Sequence, residues 1–328
     1  MSLVSAAAST LATVRRWAYD QGLLAVSRAP IPVVSVGSVT MGGAGKTPVA
    51  GLLARRLQRA GMTVGLVCGA YPGSVRRGPP AVVPPGGRDA VARYGDEAVM
   101  LARWLEGWGA VMGGRDKLGA ARLAASTGAN VVVVDDGFQH RRLARDLDIL
   151  VHDGQLGASE PGADADLLWQ HLRDGTTHRA PGRAPDVVSR YVPLGLLDGA
   201  AGGVTTGGPR QLSGRRVCLM AAIAAPEGFR SMVQDLGARV VGQVFIRDHC
   251  LFGRRHFRRA EATGAELLLC TEKDLVRMTG RPGVERLVAL SCGVEILCGE
   301  QRLEQALRRV IELAAPSPRQ SSEPRCAC

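Results

Sequence analysis

Lysine is the scarcest charged residue here: only Lys46, Lys117 and Lys273 occur among 41 basic side chains, so the chain is basic almost wholly through arginine. A compact ammonium and a planar guanidinium fork are not interchangeable, which makes the three lysines candidates for places that need a point charge. Aromatic residues amount to 4% of the chain. No arginine-rich segment interleaves with them, so no base-stacking surface of the kind used on single-stranded nucleic acid is expected. Runs of about 18 apolar residues are missing too: the longest candidate, Val131 to Val134, is cut off by Asp135 and Asp136, which argues against a spanning helix. The eight cysteines form no CxxC pair and no Cys/His spacing that would close a zinc site, a usage that fits a reducing cytoplasm. The first 28 residues scatter Arg15, Arg16 and Arg28 among Leu11, Val14, Trp17, Leu23 and Leu24, without the basic start and compact apolar stretch of a secretory signal. That pattern leaves room for an amphipathic helix, either packed on the domain or lying on a membrane surface.

What is present is a chain of 328 residues, 46% hydrophobic, long enough to bury a sizeable core in one large domain or two smaller ones. A formal charge of +11 implies an acidic partner: nucleic acid, anionic lipid headgroups or a phosphorylated substrate. Ile31 to Gly37 reads as a buried strand, followed by a glycine-rich turn and a helical pattern from Val49 to Arg59. Further strands are expected at Val64 to Val67, Val131 to Val134 and Ile149 to Val151. A helix is expected from Asp96 through Leu105, and a long Pro/Gly/Arg-rich loop from Ala70 to Arg88. Strands alternating with helices predict an α/β fold, a P-loop NTPase-like parallel sheet flanked by helices. Glycine-rich residues 202–214 place a domain boundary there, and renewed alternation beyond it predicts a second, smaller α/β domain. The expected division is an amphipathic segment over 1–30, a P-loop domain over 31–208, a smaller domain completing the cleft over 209–314, and a flexible tail over 315–328.

Thr40-Met-Gly-Gly-Ala-Gly45-Lys46-Thr47 follows a strand and opens a helix, the context a phosphate-binding loop needs. In such a loop Thr40, Gly42, Gly43, Ala44 and Gly45 turn backbone N–H groups toward phosphate oxygens. Lys46 neutralises the outer phosphates, and the Thr47 hydroxyl ligates magnesium. Thr40 stands where the usual pattern has its first glycine. Val131 to Val134 runs into Asp135 and Asp136, carboxylates placed to hold or orient that magnesium, although Asp-Asp-Gly137 also fits a plain turn.

The stretch from Val36 to Pro48, then Gly95-Asp-Glu97, Asp135-Asp-Gly-Phe-Gln-His-Arg141 with Leu143-Ala-Arg-Asp146, Arg247-Asp-His249 and Thr271-Glu-Lys-Asp274 occur in the order seen in the tetraacyldisaccharide 4'-kinase family. The chain resembles that family over roughly residues 30 to 280. The resemblance implies ATP and Mg2+ as cofactors and phosphorylation of the 4'-hydroxyl of a tetraacylated glucosamine disaccharide 1-phosphate in lipid A biosynthesis. It further implies a peripheral protein on the cytoplasmic face of the bacterial inner membrane, with an acylated disaccharide lipid and the anionic membrane surface as partners and no nucleic acid. By the same resemblance Asp96 activates the sugar hydroxyl with His249 assisting. Tyr71, Arg115, Lys117, Gln139 and His140 fall on the sugar and headgroup surface.

Read locally, Asp96 also suits a helix N-cap, His249 an ordinary loop residue, Arg115-Asp116-Lys117 a solvated helix start and Asp274 a cap. Three departures stand out. Cys250 follows His249 where the family usually has a second histidine. Gly69-Ala-Tyr71-Pro72 replaces an Arg-Gly-Tyr-Gly element, and the Pro-Ala-Gly-Pro-Leu-Arg-Glu element has no counterpart between Gly154 and Pro185. These departures keep a second reading open, a diverged nucleotide-binding relative with lost or altered phosphotransfer.

Overall fold

The structure, a computed structural model, describes residues 18–19, 21–38, 45–87, 89–138, 140–152, 165–172 and 184–315. Its strands are β1 (Val33–Gly37), β2 (Val64–Cys68), β3 (Ala81–Val83), β4 (Gly109–Gly113), β5 (Val131–Asp135), β6 (Leu147–His152), β7 (Leu167–Leu172), β8 (Val187–Asp198), β9 (Val204–Gly207), β10 (Arg216–Ala221), β11 (Arg239–Phe245), β12 (Leu267–Thr271) and β13 (Leu287–Cys298). The helices are α1 (Lys46–Arg59), α2 (Ala90–Tyr94), α3 (Asp96–Trp104), α4 (Lys117–Ser126), α5 (Pro226–Asp235), α6 (Arg254–Glu261), α7 (Glu272–Met278) and α8 (Glu300–Ala314).

The strands form one sheet in the order β11-β10-β12-β13-β8-β7-β6-β1-β5-β2-β4-β3, with β9 added on β8. It is the mostly parallel sheet flanked by helices that the alternation predicts. Among the described residues only the β8–β13, β3–β4 and β8–β9 strand pairs are antiparallel. The central strands are buried at every position of Val-Val-Ser-Val-Gly and Val-Val-Val-Val-Asp, as strands covered on both faces must be. On α1 the residues Val49, Ala50, Leu53, Ala54 and Leu57 form one buried stripe against this layer. Each fully buried Val or Leu there contributes about 1.5–3 kcal/mol.

Two parallel regions meet along β8 and β13, a twelve-residue antiparallel pair running from Val188 opposite Cys298 to Asp198 opposite Val288. The sheet continues past the glycine-rich stretch 202–214, where β9 pairs with β8. The last helix, α8, sends Leu303, Leu307 and Val310 into the core built around β1 and α1.

Several elements differ from the expectation. Residues 70–88 hold a 3-10 turn at Ser74–Arg77 and the edge strand β3, of which only Val83 is buried, so no alternating pattern marks it. Strand β7 lies between Gly154 and Pro185, where the sequence pattern gives no strand. Its Leu-Leu-Trp-Gln-His-Leu is buried at all six positions, including Gln170 and His171, so polar residues break the hydrophobic run without marking a surface. Among the described residues no helix is long and apolar enough to cross a membrane.

Candidate active site

The carboxyl ends of the parallel strands carry the chemistry, as the topology of open α/β sheets favours. Strand β1 has β5 on one side and β6 on the other, so the order of the sheet reverses at the strand that leads into α1. Gly45 caps α1 in the left-handed region at φ 88°, and a β-carbon there would lie 2.5 Å from Cδ2 of His171, so the position needs glycine. Lys46 and Thr47 then occupy the first turn of α1. Thr47 Oγ1 donates to Asp135 Oδ2 at 2.9 Å, and Lys46 Nζ lies 3.1 Å from Asp136 Oδ1. The register places Asp135 beside Val36 on β1, which is why the end of β5 faces the loop leaving β1. Thr40, Gly42, Gly43, Ala44 and Gln139 lie outside the described residues.

Lys117 does not sit on a solvated helix start. It is buried at the head of α4 and its Nζ donates to the backbone carbonyl of Asp135 at 2.8 Å. Burial lowers its pKa, with Cys68, Asp135 and Asp136 pulling the other way. Burial, followed by the Glu97 carboxylate, pushes Asp135 up to about 6, against the opposing pull of Lys117 and the Thr47 hydroxyl. Its Oδ1 is buried and has no hydrogen-bond partner among the described residues. A buried carboxylate with a free oxygen and a hydroxyl beside it fits a divalent cation shared with phosphate oxygens, for which Mg2+ needs only one or two protein carboxylates. No group of three or more His, Cys, Asp or Glu suited to a metal occurs among the described residues.

The second cluster joins residues far apart in sequence. Asp96 is 1% exposed, and its Oδ2 accepts from His249 Nδ1 at 3.1 Å and from Arg277 Nε at 2.8 Å. Gly95 takes the N-cap position, and the Asp96 carboxylate turns inward with Oδ1 accepting from the Glu97 N–H at 2.9 Å. Burial would raise the Asp96 carboxyl, yet Lys273, Arg277 and His249 outweigh it and hold it below its usual value. Lys273 Nζ lies 3.0 Å from Glu97 Oε1. Burial works against that ammonium, while Glu97 and Asp96 prevail and hold its pKa above the usual lysine value.

Helices α3 and α7 are therefore linked along their length, since Trp104 Nε1 also donates to Glu272 Oε1 and Arg103 Nη2 to Thr279 Oγ1. Asp274 is not the cap of α7; Thr271 is, and it accepts from the Asp274 N–H. Cys250 leaves the Asp96 contact intact, because His249 makes it and residue 250 offers Arg277 only its carbonyl.

Two cavities flank these clusters. One of about 370 Å³ is lined by Lys46, Thr47, Glu97, Asp135, Tyr191 and Lys273, among others. The other, about 1310 Å³, is basic, with Arg76, Arg77, Arg115, Lys117, His140 and Arg142 in its walls. Tyr71 and Asp136 border both. The exposed Tyr71 ring lies edge-on to His249 with centroids 5.8 Å apart and carries the Arg76 guanidinium 5.2 Å from its centre. All three lysines thus end in one region.

A protein-family model described as Tetraacyldisaccharide-1-P 4'-kinase matches residues 1–162 and 163–312. The chain belongs to the tetraacyldisaccharide-1-P 4'-kinase family. Relatives named tetraacyldisaccharide 4'-kinase include one from Anaeromyxobacter sp. (strain Fw109-5), 38% identical with 90% of this chain and 87% of the relative covered. Another, from Geobacter metallireducens, is 33% identical with 91% and 94% covered. The fold is similar to a crystal structure described as the "apo" form of LpxK from Aquifex aeolicus in complex with ATP, with a TM-score of 0.70, 24% identity, and 92% and 95% of the two chains covered.

Within this family's motifs the sequence points to Lys46, Thr47, Asp135, Asp136, Asp96 and His249: the first four line the cavities, the His249 ring meets Tyr71 on their shared border, and Asp96 pairs with His249. Sequence reasoning leaves out Glu97, Tyr191 and Arg277. Glu97 stands inside a quoted motif, and Arg277 follows Asp274 by one helical turn, a spacing that signals an ion pair. No sequence signal marks Tyr191.

Proposed function

We propose that this protein transfers the γ-phosphoryl group of ATP to the 4'-hydroxyl of a tetraacylated glucosamine disaccharide 1-phosphate, a step of lipid A biosynthesis. The observation that carries the reading is the meeting of the two cavities at Tyr71 and Asp136, beside the His249–Asp96 pair. The smaller cavity suits the nucleotide phosphates, with Lys46 as the point charge. Thr47, Asp135 and Asp136 would hold Mg2+, which neutralises charge on the phosphates when bound. Arg76, Arg77, Arg115 and Arg142 give the larger cleft the planar, multi-donor cations that recognise phosphate, suiting an acceptor that carries one.

In the transfer, the sugar O–H gives its proton to the Asp96–His249 pair as the oxygen bonds to the γ-phosphorus. The bond from that phosphorus to the β–γ bridging oxygen breaks, and ADP leaves. An alcohol needs such an acceptor because its own acidity is far too weak near neutral pH. Peripheral attachment to an anionic membrane surface is supported by the exposed Leu23, Leu24 and Val26 near the start of the described chain and by the net charge of +11. We place the boundary between a P-loop unit and a smaller α/β unit near residue 208, with α8 returning to pack on the first unit and Lys273 reaching the nucleotide cavity from the second.

The test is transfer of labelled γ-phosphate from Mg-ATP to the tetraacylated disaccharide 1-phosphate in detergent, with Lys46→Ala as control. Label in the lipid only with the intact protein supports the kinase. Nucleotide binding without transfer would instead support the diverged relative.

A further inference from the structure

The guanidinium of Arg277 joins the two members of the proton-accepting pair, which come from opposite halves of the chain. It is 4% exposed at the end of α7. On one side its Nε donates to Asp96 Oδ2 at 2.8 Å, the oxygen that also faces His249. On the other, its Nη1 donates to the carbonyls of Ala222 at 3.0 Å and Cys250 at 3.3 Å and to Asp274 Oδ1 at 3.0 Å.

Those two carbonyls bracket the turn that carries His249. His249 has a left-handed backbone at φ 61°, uncommon for a residue other than glycine, and its N–H donates to the same Ala222 carbonyl at 3.3 Å. Asp274 completes the frame: Oδ1 accepts from the Ala222 N–H at 3.2 Å and Oδ2 from the Thr271 hydroxyl at 2.6 Å. One side chain thus fixes the carboxylate of Asp96 and the turn presenting the imidazole.

We infer that Arg277 is a positioning residue for phosphoryl transfer, a rigid bridge that holds the Asp96 carboxylate and the His249 turn in register. The inference rests on the function proposed above. A guanidinium does this where a packed apolar chain cannot, because its separate N–H groups donate to acceptors in two directions at once. Orientation matters in proportion: a displacement of about 1 Å in such a pair costs about 100-fold in rate.

The experiment compares Arg277→Met, which keeps length and volume, with Arg277→Lys, which keeps a cation, and with Asp96→Asn/Arg277→Met. The readouts are kcat, KM for ATP and for the lipid acceptor, and thermal unfolding. Wild-type transfer comes first, since its absence overturns the proposed function itself and not the bridge alone. Arg277→Met is expected to lower kcat about 100-fold with KM for ATP within about twofold of wild type, and Arg277→Lys to recover to within about tenfold of it. Should the Met variant fail to fold because the buried Asp96 and Asp274 lose the cation they share, the double variant removes the Asp96 charge together with that cation. Its kcat is expected within about threefold of Asp96→Asn alone, because the two residues act as one unit. Wild-type turnover by Arg277→Met, or losses that multiply in the double variant, would overturn the bridge.

Discussion

Replacing Asp135 by asparagine should stabilise the protein in the absence of metal while impairing catalysis. The carboxyl is buried at the end of β5, with Oδ1 lacking a partner among the described residues and Thr47 donating to Oδ2. Its pKa moves from 3.8 to about 6, chiefly because burial penalises the charged form. A shift of about two units corresponds to about 3 kcal/mol. Because the folded-state value lies above the unfolded one, the favourable contribution is complete below about pH 4 and is lost as pH rises through about 6. At pH 8 the metal-free fold therefore carries the full penalty of an ionised buried carboxylate.

Asparagine keeps an acceptor for the Thr47 hydroxyl and removes that charge. For a chain of this length the unfolding entropy is about 0.7 kcal/mol per kelvin, so about 3 kcal/mol corresponds to a rise of about 4 °C in Tm. Calorimetry of wild type and Asp135→Asn in EDTA at pH 8 and pH 4.5 measures it. The difference should be near its full size at pH 8 and about a third of that at pH 4.5. The variant should also need more Mg2+ for half-maximal turnover. A melting temperature at pH 8 equal to or below that of wild type, with the same pH dependence, would refute the electrostatic reading of Asp135.

Asp96→Asn should leave ATP affinity unchanged and lower kcat by about 100-fold or more; undiminished turnover would sink the role of the pair. Gly95→Ala should lose at least about 2 kcal/mol, because Gly95 has φ 86° and an added β-carbon would lie 2.4 Å from the Tyr71 carbonyl oxygen. Chemical denaturation reads that loss, and a wild-type midpoint would show that the 71–95 contact yields freely. Binding to anionic vesicles should weaken as salt rises from about 0.05 to 0.5 M. A salt-resistant remainder should fall in Leu23→Ser/Leu24→Ser, and sedimentation with neutral vesicles equal to that with anionic ones would remove the headgroup attraction.

Much of the first half was legible before the fold was known. A strand of Val33 to Gly37 leading through glycines to Lys46 and Thr47 is encoded locally, by β-branched residues, by glycine's freedom and by the stripe from Val49 to Leu57. The Val131 to Asp135 strand is as plain, since four valines in a row suit only a strand covered on both faces. Legibility failed where burial and polarity part company. Strand β7 hides His171 and Gln170 inside, and β8 mixes buried, half-buried and exposed positions while pairing with β7, β9 and β13, so neither shows a single period. The scarcity of lysine was informative because each ammonium has an acidic side chain or a carbonyl to meet: Asp136, the Asp135 backbone and Glu97.

By itself the sequence determined which segments become strands and helices around the phosphate loop, which carboxylates end β5, and which family motifs follow one another, because these depend on near neighbours and on residue type. The tertiary structure alone decided that Asp96 and His249, 153 positions apart, share a hydrogen bond, that Arg277 bridges them, and that a basic cleft opens beside the nucleotide cavity. Those contacts depend on strand order and on two helices packing side by side, and no local periodicity records which distant side chains a sheet will bring within 3 Å of each other.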